Sequence, residues 1–300
     1  MGETRSGGDT GGPALVEGRA GLRGLLQLYA ESLVRLRGGR HLRCSLVFWT
    51  GLGLVLIEAF AVGVAQMDSR RSAVVAAGIA ALWWLLISSV LVGGISLLRT
   101  PDGARIDYIG VPNGLTALRA WSCYPLLLCA TLTLPGQVGL ILWCSIGAPA
   151  GLLDMVDGYI ARRVGPLTEL GRALDPAGDA LFFSMAALGN FALGIVPGWL
   201  GGLMLVRYVG PLVATPVVFL ARRRPELVYT EWGRRNTLAT GVVLFVCMWV
   251  RIFSGPVSLV ALLVGAPLLG TTTILHFAAL ARRAYLAPVV REGRRERRAT

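Results

Sequence analysis

The sequence predicts an all-α protein, a polytopic helix bundle in a membrane, on three observations. The 300 residues are 54% hydrophobic and only 15% charged, with a mean hydropathy of +0.64, whereas a soluble globular chain carries about 25% charged residues. The apolar residues come in runs of about 20, the length an α-helix needs to cross the hydrocarbon core of a bilayer. Between the runs lie short clusters of arginine, the pattern of basic loops flanking membrane spans.

Residues 1–20 are rich in Gly, Ser and Thr, have no apolar core segment, and read as a disordered tail rather than a signal peptide. Over 21–45, Leu22, Leu25, Leu26, Tyr29, Leu33 and Leu36 recur at helical spacing. This predicts a juxtamembrane amphipathic helix, with Arg23, Arg35 and Arg37 available to reach lipid phosphates. Apolar runs at 46–65 and 73–98 form a two-helix extension. The polar, Gly- and Pro-containing stretch 99–113 breaks the pattern. Six more runs, at 115–134, 138–160, 177–195, 198–220, 237–254 and 256–280, make a six-helix unit over 112–280, and 281–300 is a basic tail.

All 29 basic residues are arginine. With both termini on the cytoplasmic side, 24 of them fall in inside segments and only Arg70, Arg71 and Arg251 outside. That asymmetry predicts the topology and places the chain in the cell membrane; the Arg70–Arg71 pair runs against it. The net charge of +12 and pI near 10.5 therefore belong to membrane topology, and no nucleic-acid partner is expected. Cys44, Cys123, Cys129, Cys144 and Cys247 lack CxxC spacing and read as packing residues. His41 and His276 have no ligand-spaced partner, and no P-loop or dinucleotide-binding glycine motif occurs. Any chemistry falls to carboxylates.

Four of the eight aspartates lie between 154 and 179, at the end of one apolar run and the start of the next. Carboxylates at a membrane edge are costly to desolvate and need partners, water or cations. Asp154 and Asp157 share one helix face, as do Asp175 and Asp179. Pro176 suits the first position of a helix, which predicts Asp175 as the N-cap of the fifth run. Four hard carboxylates without soft ligands suit Mg²⁺ or Mn²⁺, and a pair of such ions can hold a pyrophosphate through a displacement. Gly158 and Gly171 leave the backbone open to a phosphate or nucleotide, and Arg162 and Arg163 can pair with phosphate.

Asp154-x-x-Asp157-Gly158-x-x-Ala161-Arg162, then eight residues, then Gly171-x-x-x-Asp175-x-x-x-Asp179, resembles the signature of the CDP-alcohol phosphatidyltransferases. Pro112-Asn113-Gly114-Leu115-Thr116-Ala117-Leu118-Arg119 is similar to the PNxLTxxR opening of that family's first core helix. Within the family, the Leu174-Asp175-Pro176 to Asp179 stretch resembles the phosphatidylglycerophosphate synthases and cardiolipin synthases, although Ala180 stands where those have lysine. The resemblance implies that Asp154, Asp157, Asp175 and Asp179 hold two metal ions against the pyrophosphate of CDP-diacylglycerol. It implies that Asp179 takes the proton of an alcohol acceptor, most readily glycerol 3-phosphate, and that CMP departs. Gly158, Ala161, Arg162, Gly171, Asn113 and Thr116 would bind the CDP moiety, and a homodimer is expected from the family alone.

Arg119 and Arg207 lie within apolar runs and are candidate ligands for an acceptor phosphate; pairing with the acids or snorkelling to the interface is the alternative. Arg222 to Arg224 and Arg234–Arg235 read as topology and anionic-lipid contacts. Trp49, Trp121, Trp143, Trp199 and Trp232 fall near predicted helix ends, where indole favours the interface. Phosphatidylglycerol as the acceptor, as in cardiolipin-type synthesis, another CDP-alcohol branch, and, in a different class, an ion-binding transporter or an inactive scaffold stay open.

Overall fold

The computed structural model describes residues 22–135, 137–147, 149–150, 168–220 and 231–286. Within them run α1 (Leu22–Gly38), α2 (Arg40–Gln66), α3 (Arg70–Gly93), α4 (Val111–Thr131), α5 (Val138–Leu142), α6 (Glu169–Ala192), α7 (Gly198–Leu220), α8 (Glu231–Ile252), α9 (Val257–Val260) and α10 (Ala266–Leu286). A 3₁₀ turn over Gly94–Leu97 ends α3, and wide π turns extend α5 over Trp143–Gly147 and join α9 to α10 over Ala261–Gly265. The predicted helices follow in the predicted order. The second half of the run at 138–160, together with 1–20 and most of the basic tail, lies outside the described residues.

Four stretches, Arg40–Gln66, Arg70–Leu97, Glu231–Ile252 and Val257–Arg283, are long and apolar enough to cross a membrane. The protein is a multi-pass membrane helix bundle. Neither α4 nor α6 is among the four, because each spends core-facing positions on polar side chains, which lowers its mean hydropathy.

At the centre, α4 packs against α6 on one side and against α2 and α3 on another, while α7 lies on α6 and α8 on α10. One core cluster contains Leu126, Trp143, Phe182, Met185, Leu200, Met204, Val243 and Cys247. A second ties the N-terminal helices to the rest through Leu42, Trp49, Ile57, Leu91, Leu98, Trp121 and Leu170. Cys123, Cys129 and Cys247 are buried as packing residues, whereas Cys44 is exposed.

Three tryptophans depart from the interfacial expectation. Trp49, Trp121 and Trp143 are buried because each fills the notch of a glycine on a neighbouring helix. A Cβ added at Gly53 would lie 2.4 Å from the Trp121 ring, one at Gly114 2.2 Å from Trp49, and one at Gly189 2.0 Å from Trp143. The indole N–H of Trp49 donates to the Ile109 carbonyl (3.2 Å) and that of Trp143 to Asn190 Oδ1 (3.1 Å), which satisfies these two donors, whereas the buried Trp121 indole nitrogen has no such partner among the described residues. Trp199 is exposed, as an interfacial residue would be.

Arg35 also turns inward instead of toward lipid. Its guanidinium donates to the carbonyls of Ile95 (2.9 Å), Leu98 (3.0 Å) and Ile106 (2.6 Å). The end of α3 leaves carbonyls without partners inside the helix, and one planar fork with five N–H groups serves several at once. Leu26, Leu33 and Val34 of α1 stay exposed.

Candidate active site

The site is built where α4 and α6 meet. Thr168 has extended backbone, and its hydroxyl accepts from the Gly171 N–H at 2.9 Å, so it is the N-cap of α6; Glu169 places an acid in the first turn. The helix therefore starts seven residues before the N-cap predicted at Asp175. Pro176 sits in its interior, because the Thr168 cap and the buried Leu170 have already fixed the first turn. The proline has no N–H to offer the Arg172 carbonyl, so α6 lacks one rung of its ladder at that point.

On α4, Asn113, Thr116 and Arg119 recur every three residues, and all three are buried. Facing them on α6 are Gly171, Gly178 and Asp179. Thr168 donates its hydroxyl hydrogen to Asn113 Oδ1 at 3.2 Å, so one hydroxyl both caps α6 and ties it to α4. The two glycines permit the close approach. A Cβ at Gly171 would meet Asn113 Oδ1 at 2.9 Å, and one at Gly178 would meet Arg119 Nη2 at 3.3 Å and Thr116 Cγ2 at 3.4 Å.

Arg119 Nη2 donates to Asp179 Oδ1 at 2.8 Å, with the Arg119 side chain 5% exposed and that of Asp179 22%. The Phe182 ring lies 5.9 Å from the Arg119 guanidinium carbon. Asp175, one turn before Asp179 on the same face, is exposed. Asn113, Thr116, Arg119, Gly171 and Asp179 are thus brought together, with Asp175 beside them. Asp154, Asp157, Gly158, Ala161 and Arg162 lie outside the described residues.

Arg207 occupies a second buried polar layer. Its Nε donates to Asn236 Oδ1 at 3.0 Å and its Nη2 to the Gly233 carbonyl at 3.5 Å. The Asn236 amide donates to the hydroxyls of Thr272 (2.7 Å) and Thr273 (3.0 Å), and Tyr208 donates to Thr240 at 3.4 Å. The Tyr208 ring stacks on Phe183 of α6 with centroids 4.3 Å apart, which links this layer to the helix that carries Asp179. His276 is buried near Arg207.

Sequence reasoning missed Thr168, Phe183, Tyr208, Asn236, Thr272 and Thr273. Thr168 before Glu169 is a readable capping signal, and the Thr271-Thr272-Thr273 run is a polar interruption of an apolar stretch. Asn236 fell one residue short of the run predicted to start at 237 and so was read as loop.

A sequence model of the family described as CDP-alcohol phosphatidyltransferase matches residues 109–276, more than half of the chain. The chain belongs to the CDP-alcohol phosphatidyltransferase family. The family segment takes in α4 to α9, the site and most of α10, and leaves α1 to α3 outside. A protein named probable phosphatidylglycerophosphate synthase, from Mycobacterium tuberculosis, is 32% identical over 139 residues, which are 46% of this chain and 64% of that protein. A protein named cardiolipin synthase (CMP-forming), from Streptomyces coelicolor, is 37% identical over 71 residues, 24% of this chain and 33% of that protein. The chain thus spans less than two thirds of the curated relatives it matches. No solved structure matches it.

The donor chemistry fits a hard divalent cation. Asp175 and Asp179 offer carboxylate oxygens four residues apart on one helix, with no thiol or imidazole between them, the ligand type that Mg²⁺ and Mn²⁺ take.

Proposed function

We propose that the chain transfers the phosphatidyl group of CDP-diacylglycerol to glycerol 3-phosphate and releases CMP, dependent on Mg²⁺ or Mn²⁺. The observation that carries this is the Asp179 carboxylate held by Arg119 on a glycine-lined seam, inside the segment the family model matches. Asp154, Asp157, Asp175 and Asp179 would hold two ions, which when bound would neutralise the pyrophosphate and the charge on the departing CMP.

The chain's own residues orient the reactants and move the proton. Gly171, Asn113 and Thr116 would border the CDP moiety, with Gly158, Ala161 and Arg162 in the same role. Asp179, oriented by Arg119, accepts the proton of the acceptor hydroxyl. The freed oxygen forms a bond to the β-phosphorus, the bond from that phosphorus to the CMP oxygen breaks, and CMP leaves with the electron pair. Arg207, bonded to Asn236, would hold the acceptor's phosphate, with Arg119 a second cation for the same charge. The arginine distribution supports a cytoplasmic site with both termini inside.

The likeness to a CMP-forming cardiolipin synthase favours phosphatidylglycerol as the second acceptor to test. CMP release from CDP-diacylglycerol, measured on purified protein with Mn²⁺ or Mg²⁺, decides between them when each acceptor is supplied separately. Release that requires glycerol 3-phosphate supports the proposal, and release only with phosphatidylglycerol replaces the acceptor. No release with any acceptor from folded protein returns the transporter or scaffold reading.

A further inference from the structure

Helices α1 to α3 stand outside the family segment, yet they reach the helix that carries the site. After α3, residues 98–106 fold back on themselves. Ile106 N–H donates to the Leu98 carbonyl (3.0 Å) and Thr100 N–H to the Ala104 carbonyl (2.9 Å), around a turn where Gly103 takes a φ of +85° that favours glycine. Arg35 of α1 grips this hairpin through the Leu98 and Ile106 carbonyls.

The hairpin and the 3₁₀ turn before it in turn grip the start of α6 in three ways. The Arg99 guanidinium pairs with the Glu169 carboxylate at 2.5 Å. The Arg99 carbonyl accepts from the Glu169 N–H at 2.9 Å, one of the first-turn donors that the helix itself cannot satisfy. Leu170, 1% exposed, seats over Gly94, where an added Cβ would come within 2.4 Å of Leu170 Cδ1.

We infer that Arg99 and Glu169 are positioning residues: through this pair the N-terminal extension sets the rotation and height of α6, and with them the placement of Asp175 and Asp179. The two aspartates lie six and ten residues beyond Glu169, about 9 and 15 Å along a continuous helix. A rotation at the first turn therefore reaches both carboxylates. Pro176 makes the external hold matter more, since the rung to the Arg172 carbonyl is missing and the first two turns of α6 depend less on their own ladder. The catalytic part of this inference rests on the proposed transfer activity; the structural part does not.

The test compares Arg99→Ala, Glu169→Ala, their double variant and Arg99→Lys in the full detergent-solubilised chain, read by hydrogen exchange over residues 169–178 and by CMP release. Each alanine variant is expected to raise exchange in this segment and leave α8 and α10 unchanged. The expected fall in kcat is about tenfold, with both Michaelis constants within about twofold, since displaced catalytic groups cost rate more than binding. The double variant should be no worse than the worse single one, and Arg99→Lys should recover at least half of the rate. Unchanged exchange over 169–178 in both single variants overturns the inference, and so do fully additive losses. If the wild-type chain releases no CMP, the function proposal fails and the exchange measurements alone decide this one. Arg99→Gln removes the charge and keeps most of the bulk, so it replaces Arg99→Ala if that variant does not fold.

Discussion

Arg119 and Arg207 are both buried in apolar helices, but the two regions around them are built in different ways. At the α4–α6 seam, Gly171 and Gly178 bring the helices close, and Arg119 meets the carboxylate of Asp179. Around Arg207, helices α7, α8 and α10 are spaced by side chains, with Asn236 bonded to Arg207 on one side and to Thr272 and Thr273 on the other. The first region is fixed by what is missing, a pair of Cβ atoms. The second is fixed by hydrogen bonds that must all be made, because a partly satisfied buried network is costlier than none. Steric changes should therefore damage the seam, and polar deletions the network.

The largest effect expected is that of Asp179→Asn, which removes the proposed base. CMP release should fall about 10²–10⁴-fold, with size-exclusion elution unchanged, and an active Asn variant would move the base elsewhere. Next, Gly178→Val should push Arg119 off Asp179 and lower CMP release about 100-fold. Gly178→Ala, which adds one carbon at ordinary-to-tight distance, should lose less than about tenfold by the same reasoning. Equal losses in the two would show that space at 178 does not matter.

In the network, Asn236→Ala strips Arg207 and two threonine hydroxyls of a partner. Thermal unfolding in detergent should show a loss of about 1–3 kcal/mol, and the Michaelis constant for glycerol 3-phosphate should rise more than kcat falls. The smallest effect is expected of Thr273→Val, a near-isosteric loss of one hydrogen bond, at about 0.5–1.5 kcal/mol. An unfolding midpoint for Asn236→Ala no lower than that of Thr273→Val would show that the amide does not join the helices.

Most of the helices could be read from the sequence, since apolar runs of membrane length have few alternatives. The Asp175–Asp179 pair could also be read, because the four-residue spacing is a property of one helix. What could not be read depends on contacts between helices. Pro176 looked like a helix start by local preference, but the Thr168 cap and the seat of Leu170 against Gly94 fix the start seven residues earlier. Trp49, Trp121 and Trp143 looked interfacial because their glycine notches lie on other helices. For Arg119 the sequence leaves acceptor binding and pairing with an acid both open, and the partner, Asp179, 60 residues away, follows only from the packing of α4 on α6.

The wide turn over Ala261–Gly265 bears on how this helix tolerates changes in length. A turn of this kind holds one residue more than an α-turn, so it can absorb an insertion without rotating the helix beyond it. Removing one residue within 261–265 should restore an ordinary α-helix and leave Thr272, Thr273 and His276 facing as they do now. Removing one from the regular stretch just after it, at Leu268, should swing that face by about 100° away from Asn236. The same deletion, moved by a few positions, would then be silent in one place and disruptive in the next.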